Sequence, residues 1–139
     1  MRGLKDRVVV VTGGGGGIGS ATCRRFAEAG SRVAVLDIDL AAAERVAAGI
    51  GGAARAFACD ITDHAAVVAT VAAVEAALGP IEVLVNNAGW DVFRLFKDST
   101  PEEWQKLVAI NLMGPLNMHH AVLPGMLERR FGRIVNIAS

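Results

Sequence analysis

A glycine-rich segment between an apolar run and a helical pattern is the part of this chain best suited to chemistry. Residues Thr12 to Gly19 read Thr-Gly-Gly-Gly-Gly-Gly-Ile-Gly and follow four consecutive valines at 8–11. Glycine loses more conformational freedom on folding than any other residue, so a loop this rich in glycine needs a compensating interaction. Backbone N–H groups at a helix N-terminus supply one when they bind phosphate. The spacing of Gly13, Gly17 and Gly19 therefore predicts a dinucleotide-binding loop.

Two other interpretations of this loop fit the sequence less well. The P-loop of nucleoside triphosphatases needs Lys and then Ser or Thr after its last glycine, whereas Ser20 and Ala21 follow Gly19. A flexible linker would not stand between a run of valines and the apolar-periodic segment 18–26. The sequence therefore disfavours both a nucleoside triphosphatase and a linker.

Length, charge and the positions of the cysteines limit the classes of protein to which this chain can belong. A chain of 139 residues with 53% hydrophobic residues is expected to form one globular domain. Because 14 basic residues balance 14 acidic ones, we expect no nucleic-acid partner and no binding to an anionic membrane. Cys23 and Cys59 stand outside any metal or redox motif, and the pair His119-His120 lacks a third ligand, so no metal is expected. Reduced thiols without a signal peptide predict a cytoplasmic protein.

Short apolar runs alternate with longer helical patterns along the whole chain. Continuous apolar runs are typical of parallel strands that are covered on both faces. This order predicts a three-layer Rossmann-type doubly wound parallel α/β sheet with strand order 3-2-1-4-5, in one domain over residues 1–139. The predicted strands are 7–11, 32–36, 55–58, 81–85 and 133–137. The predicted helices are 17–29, 40–50, 63–78 and 100–130, the last one divided or bent near Gly114-Pro115 and Pro124-Gly125.

Ligands of such sheets bind beyond the carboxyl ends of the strands, so the polar residues there are the candidate site. Asp37, about 20 residues beyond the glycine loop, would accept both hydroxyls of an adenosine ribose and would repel a 2′-phosphate, which favours NAD over NADP. It could instead be a turn residue. Asp60 could accept from the adenine amino group or cap the next helix.

Two further polar positions have both a functional and a structural interpretation. Asn86-Asn87-Ala88-Gly89 follows the fourth strand, where small residues would let a flat ligand approach, although Asn and Gly are also common in plain turns. Asn111 lies within a helical pattern, and Asn is a mediocre helix former. It could face the cleft and hold a backbone group or a water molecule, or it could be a surface amide.

Taken together and in this order, these motifs resemble the short-chain dehydrogenase/reductase family. The resemblance covers the whole chain. It rests on the glycine loop, Asp37, Cys59-Asp60, Asn86 to Gly89, Asn111, and the segment Gly-Arg-Ile-Val-Asn-Ile-Ala-Ser at 132–139.

The resemblance implies roles for individual residues. Ser139 would be the catalytic serine that hydrogen-bonds the reacting oxygen of the substrate, and Asn111 the catalytic asparagine that holds a proton-relay water. The implied cofactor is NAD, and the full-length protein would be a homotetramer or a homodimer. The implied cofactor-binding residues are Gly13, Gly16, Gly17, Ile18, Gly19, Asp37, Asp60, Ile61, Asn87, Ala88 and Gly89.

Two segments resemble a narrower group within that family. Residues 86–93 and 119–130 are similar to 2-hydroxycyclohexanecarboxyl-CoA dehydrogenases, which implies an alicyclic hydroxyacyl-CoA as the small-molecule substrate. The 3-oxoacyl-carrier-protein reductases share all the general motifs and stay an alternative.

The chain departs from the family at the acid/base group. The family uses a Tyr-x-x-x-Lys helix shortly after the serine, but this sequence contains no tyrosine and ends at Ser139. We therefore expect an amino-terminal portion of a longer single-domain enzyme, inactive by itself. A non-catalytic dinucleotide-binding module is the alternative of another class. The motifs at Asn86 and Ser139 disfavour a methyltransferase.

Overall fold

A single parallel sheet forms the centre of the protein. In the computed structural model, which describes residues 3–138, the strands are β1 (Val8–Thr12), β2 (Arg32–Asp37), β3 (Ala54–Ala58), β4 (Val83–Asn86) and β5 (Arg133–Asn136). Their order is β3-β2-β1-β4-β5 and all pairs are parallel. The predicted architecture and strand order are confirmed, with strand ends shifted by up to two residues. Ser139 lies outside the described residues.

Helices cover both faces of the sheet, which explains the continuous apolar strands. In β1, Val8 and Val10 pack into the core layer beneath α3 (His64–Leu78) and α5 (Gly114–Glu128). Val9 and Val11 point to the opposite layer, beneath α1 (Gly17–Glu28) and α2 (Leu40–Ile50). All four valines are fully buried because successive side chains alternate between two faces of the strand and helices cover both faces.

Capping side chains define where most of the helices begin. Asp39 accepts from the backbone of α2, Asp63 accepts from the backbone of α3, and Thr100 with Glu103 forms a capping box on α4 (Pro101–Val108). Among the described residues, no side chain caps α1 at Gly16. The N–H groups of its first turn are therefore free to bind a ligand.

The long helical segment is continuous from Pro101 to Glu128 and is interrupted only by a π-turn. A single π-helical turn at Ala109–Met113 joins α4 to α5, and Pro124 lies inside α5 without ending it. Pro115 carries no N–H and so cannot donate to the carbonyl of Asn111, four residues earlier, which explains why the regular pattern fails at this place. No helix within residues 3–138 has the length and apolar character needed to cross a membrane.

Two adjacent valines on α3 provide a matched test of this packing. Val67 is fully buried in the core, whereas Val68 is 47% exposed. We expect Val67→Ala to lower the free energy of unfolding by about 2–3 kcal/mol, because it removes two buried carbons and leaves a cavity. Val68→Ala should change it by no more than about 0.5 kcal/mol. Urea denaturation of both variants measures the difference, and equal losses would contradict this packing.

Candidate dinucleotide and substrate site

Two adjoining cavities open beyond the carboxyl ends of the strands. The first, about 900 Å³, contains every residue predicted above to bind the cofactor. The second, about 730 Å³, is lined by Asn111 and by the residues that lead to Ser139. The segment Asn87 to Trp90 and Ile18 line both cavities, so ligands in the two would be in contact.

The positions of the loop are glycine for different structural reasons. A Cβ on Gly19 would collide with the carbonyl oxygen of Gly13, and a Cβ on Gly13, which has φ +62°, would lie 2.9 Å from the Cα of Ala88. Both positions must be glycine for the protein's own backbone to fit. A Cβ on Gly17 would meet nothing within 4 Å, so that face of the loop is open to the first cavity.

Hydrogen bonds fasten the end of β1 to the segment after β4. The hydroxyl of Thr12 accepts from the N–H groups of Asn87 (3.1 Å) and Ala88 (3.0 Å). The Asn87 side chain donates back to the carbonyls of Thr12 (3.0 Å) and Gly13 (3.2 Å). The amide of Asn87 therefore holds the glycine loop in place, so Asn87 does not serve only to form a turn.

Asp37 presents a fixed carboxylate at the rim of the first cavity. Its Oδ2 accepts from the N–H of Gly15 (2.9 Å) and its Oδ1 from the N–H of Asp39 (3.0 Å). A Cβ on Gly15 would lie 2.7 Å from the Cβ of Ala42, so a basic side chain cannot be accommodated there without a shift. The negative charge of Asp37 consequently faces no cation from this loop.

The two interpretations of Asp60 are separated by its contacts. Asp63, and not Asp60, caps α3, through bonds to the N–H groups of Ala65 and Ala66. Asp60 Oδ1 accepts from the N–H (2.9 Å) and the hydroxyl (2.7 Å) of Thr62, which shapes a turn along the first cavity. This arrangement leaves Oδ2 available to a ligand.

The side chain of Asn111 is bound to the backbone of Trp90. Its Oδ1 accepts from the Trp90 N–H (2.9 Å) and its Nδ2 donates to the Trp90 carbonyl (2.8 Å). The amide makes one hydrogen bond through each of its two atoms, and the backbone carbonyl of Asn111 lacks the N–H that a residue other than proline at 115 would supply, so this carbonyl is a candidate to bind a water molecule. The catalytic role of Asn111 stays a prediction.

Sequence reasoning missed two residues that hold the wall beside Asp60. Asn117 on α5 donates to the carbonyl of Ile61 (2.8 Å). Gly114 lets the helix approach so closely that a Cβ would collide with the Ile61 side chain. The pair Gly114-Pro115 predicts only a break or bend in the helix, and an isolated Asn within a helix carries no signal of its partner.

A cluster of amides and one imidazole lies under the second cavity. Asn86 Nδ2 donates to Asn136 Oδ1 (2.9 Å) and lies 2.9 Å from His119 Nε2. The adjacent His120 instead faces His64, with 3.0 Å between ring nitrogens. Within residues 3–138, no group of three or more His, Cys, Asp or Glu side chains is placed to hold a metal ion.

Both cysteines are buried core residues. Burial raises the pKa of the Cys23 thiol to about 12, and burial likewise raises the pKa of the Cys59 thiol. A thiol that stays protonated at neutral pH is a poor nucleophile. Neither residue is suited to covalent catalysis.

The geometry defines a Rossmann-type dinucleotide-binding protein, and comparisons narrow the class. The sequence profile of the family described as short chain dehydrogenase matches residues 7–139. Acetoacetyl-CoA reductase from Rhizobium meliloti is 42% identical over 137 residues, which cover 96% of this chain and 55% of the relative. The chain belongs to the short-chain dehydrogenase family.

Solved structures agree with that assignment. The 3-ketoacyl-(acyl-carrier-protein) reductase from Brucella melitensis, complexed with NADH, superposes with a TM-score of 0.94 at 37% identity, covering 98% of this chain and 58% of that one. A metagenomic short-chain oxidoreductase in complex with NADP gives 0.91 at 38% identity, covering 98% and 63%. The chain spans about half the length of the curated relatives that it matches.

The contact between Asn117 and Ile61 can be tested without a ligand. We expect Asn117→Leu, which has a similar volume but no donor, to release the Asp60–Thr62 turn. Hydrogen exchange read by mass spectrometry should show faster exchange in peptides covering 59–63. Peptides covering the Asp37 turn serve as the internal control and should be unchanged. Unaltered exchange at 59–63 would show that Asn117 does not hold this wall.

Proposed function

We propose that this chain is the dinucleotide-binding portion of a longer single-domain oxidoreductase. That enzyme transfers a hydride between a secondary alcohol or ketone and NAD. The observation that carries the proposal is the first cavity, in which the open glycine loop, Asp37 and the Asp60 turn lie together. The substrate class is an acyl-CoA with a nearby hydroxyl, such as an alicyclic 2-hydroxyacyl-CoA, as the resemblance of residues 86–93 and 119–130 implies.

The residues present fit a dinucleotide. The uncapped first turn of α1 offers N–H groups and a partial positive charge to a pyrophosphate, and the open side of Gly17 leaves room for it. Asp37 would accept from the adenosine ribose, and Oδ2 of Asp60 from the adenine amino group. Ile18, Ile61, Ala88 and Gly89 would contact the two halves of the ligand.

The choice of NAD rests on Asp37. A carboxylate fixed at the rim would repel a 2′-phosphate, and the crowding at Gly15 excludes a basic side chain that would offset it. The similar structures include a complex with NADH and one with NADP, so the preference rests on Asp37 itself.

The residues around the second cavity fit the proposed hydride transfer. When bound, the nicotinamide ring supplies the position that accepts or donates the hydride. Asn111 would hold a water through its backbone carbonyl, while its side chain keeps Trp90 against both cavities. Ser139 would hydrogen-bond the reacting oxygen. Proton transfer to or from the reacting oxygen would use the tyrosine of the family's Tyr-x-x-x-Lys helix, and these 139 residues contain no tyrosine. The chain alone should therefore bind cofactor without turnover.

Activity of the complete protein tests the proposal. We expect NAD-dependent oxidation of 2-hydroxycyclohexanecarbonyl-CoA, followed by the absorbance of NADH, with kcat/KM higher than for the free acid or the acyl-carrier-protein ester. Ser139→Ala should lower kcat about 100-fold or more, because it removes a donor to the reacting oxygen. Faster turnover of the carrier-protein ester would assign the reductase class instead, and no turnover of any hydroxyacyl substrate would refute the function.

Cofactor preference has its own prediction. Asp37→Ser combined with Ile38→Arg places a cation at an exposed position of the rim, since Ile38 is 73% exposed and lines the cavity. We expect the ratio of kcat/KM for NAD to that for NADP to fall about 100-fold.

Asp39→Ser is the matched control for this double variant. It removes a carboxylate two residues away, outside the cavity lining, and keeps a capping oxygen on α2. Its NAD:NADP ratio should stay within about twofold of the wild type. If the wild-type protein already preferred NADP, the role given to Asp37 would be wrong.

A further inference from the structure

The first cavity has an uneven charge balance. Among the described residues that line it, the carboxylates are Asp37 and Asp60 and the only cationic side chain is Lys106. A dinucleotide pyrophosphate would add about two negative charges, and the N-terminus of α1 offers only about half a positive charge. One full positive charge on the opposite wall is therefore the obvious electrostatic complement.

Lys106 has no carboxylate partner within residues 3–138. The ion pairs there use other cations, and Glu103, one turn earlier on the same helix, is bound to Arg94 and to the capping box. The ammonium group of Lys106 instead lies 4.1 Å from the centre of the Trp90 ring. A cation–π contact at an exposed site is weak, so a phosphate oxygen can displace it.

Lys106 lies on the face of α4 that borders the first cavity. Lys106, Ala109 and Ile110 all line the first cavity, because residues three and four apart lie on one face of a helix. The Trp90 ring lies at the junction of both cavities, and its backbone is held by Asn111. The backbone that carries the ring is thus held in place, and the flexible lysine side chain beside it borders the same cavity as the glycine loop.

We propose that Lys106 binds the phosphate groups of the dinucleotide and rests on Trp90 when the cavity holds no phosphate. This inference rests on the proposed function, because it needs a phosphate-bearing ligand in the first cavity. It adds a cofactor-binding residue on the wall opposite the glycine loop. It also predicts that the environment of Trp90 reports the arrival of phosphate.

Binding of ADP and adenosine to the complete protein separates a phosphate contact from a general effect on the cavity. We expect Lys106→Met, which keeps the length of the side chain, to raise the Kd of ADP and of NAD about tenfold. The Kd of adenosine should stay within twofold. Lys106→Arg should retain most of the affinity for ADP. Lys97→Met, which removes an exposed lysine outside the cavity, is the matched control and should bind all three ligands as the wild type does.

Fluorescence gives a second measurement. With Trp104 and any tryptophan beyond position 139 replaced by phenylalanine, so that Trp90 is the only one, ADP should change the emission. The change should be smaller when Lys106→Met is added, and adenosine should cause the same small change in both proteins.

The outcomes separate the two proposals. An unchanged Kd of ADP in Lys106→Met, with tight binding of NAD by the wild type, would overturn the role of Lys106 and leave the proposed function intact. Equal losses for ADP and adenosine would show that Lys106 only supports the cavity wall, which also overturns it. A wild-type protein that binds neither NAD nor ADP would refute both proposals.

Discussion

The site depends on how closely the end of β1 approaches the segment after β4. Glycine at position 13 brings that backbone to the Cα of Ala88, and the Thr12 hydroxyl with the Asn87 amide ties the two segments by hydrogen bonds in both directions. The connections from β1 and β4 lead to opposite faces of the sheet, so a crevice opens between them. These part-buried hydrogen bonds make the crevice a fixed feature of the fold.

The continuous helical segment from Pro101 to Glu128 forms the opposite side of the crevice and contacts both of its ends. Asn117 and Gly114 hold the Asp60–Ile61 wall, while Asn111 holds Trp90. The π-turn, which contains Asn111 and comes directly before Gly114, changes the face that the following part of the helix presents to the cavities. A π-turn contains one residue more than a regular helical turn, and each residue rotates the following side chains by about 100°. Without that residue, the helix would point one of these contact groups away from the crevice.

The first turn of α1 offers N–H donors to a ligand, whereas Asp37 and Asp60 offer fixed negative charges. The three capped helices satisfy their own first turns with Asp or Thr, whereas α1 leaves its N–H groups to a ligand. Asp37 and Asp60 use one or both carboxylate oxygens to shape their own turns, so their charges are fixed in place before any ligand arrives. Such preorganisation lowers the ordering cost of binding.

The sequence alone determined the layered parallel sheet, its strand order and the residues that gather at its carboxyl edge. Runs such as Val8–Val11 specify strands buried on both faces, and glycines 13 to 19 specify a loop with bare backbone, because both signals are local. Only the tertiary structure decided what each polar side chain contacts. It showed that Asn87 binds the glycine loop, that Asp63 rather than Asp60 caps α3, and that Asn117 reaches Ile61. These partners are far apart in the chain or compete locally for the same N–H groups, and a hydrogen bond depends on distances that only packing sets.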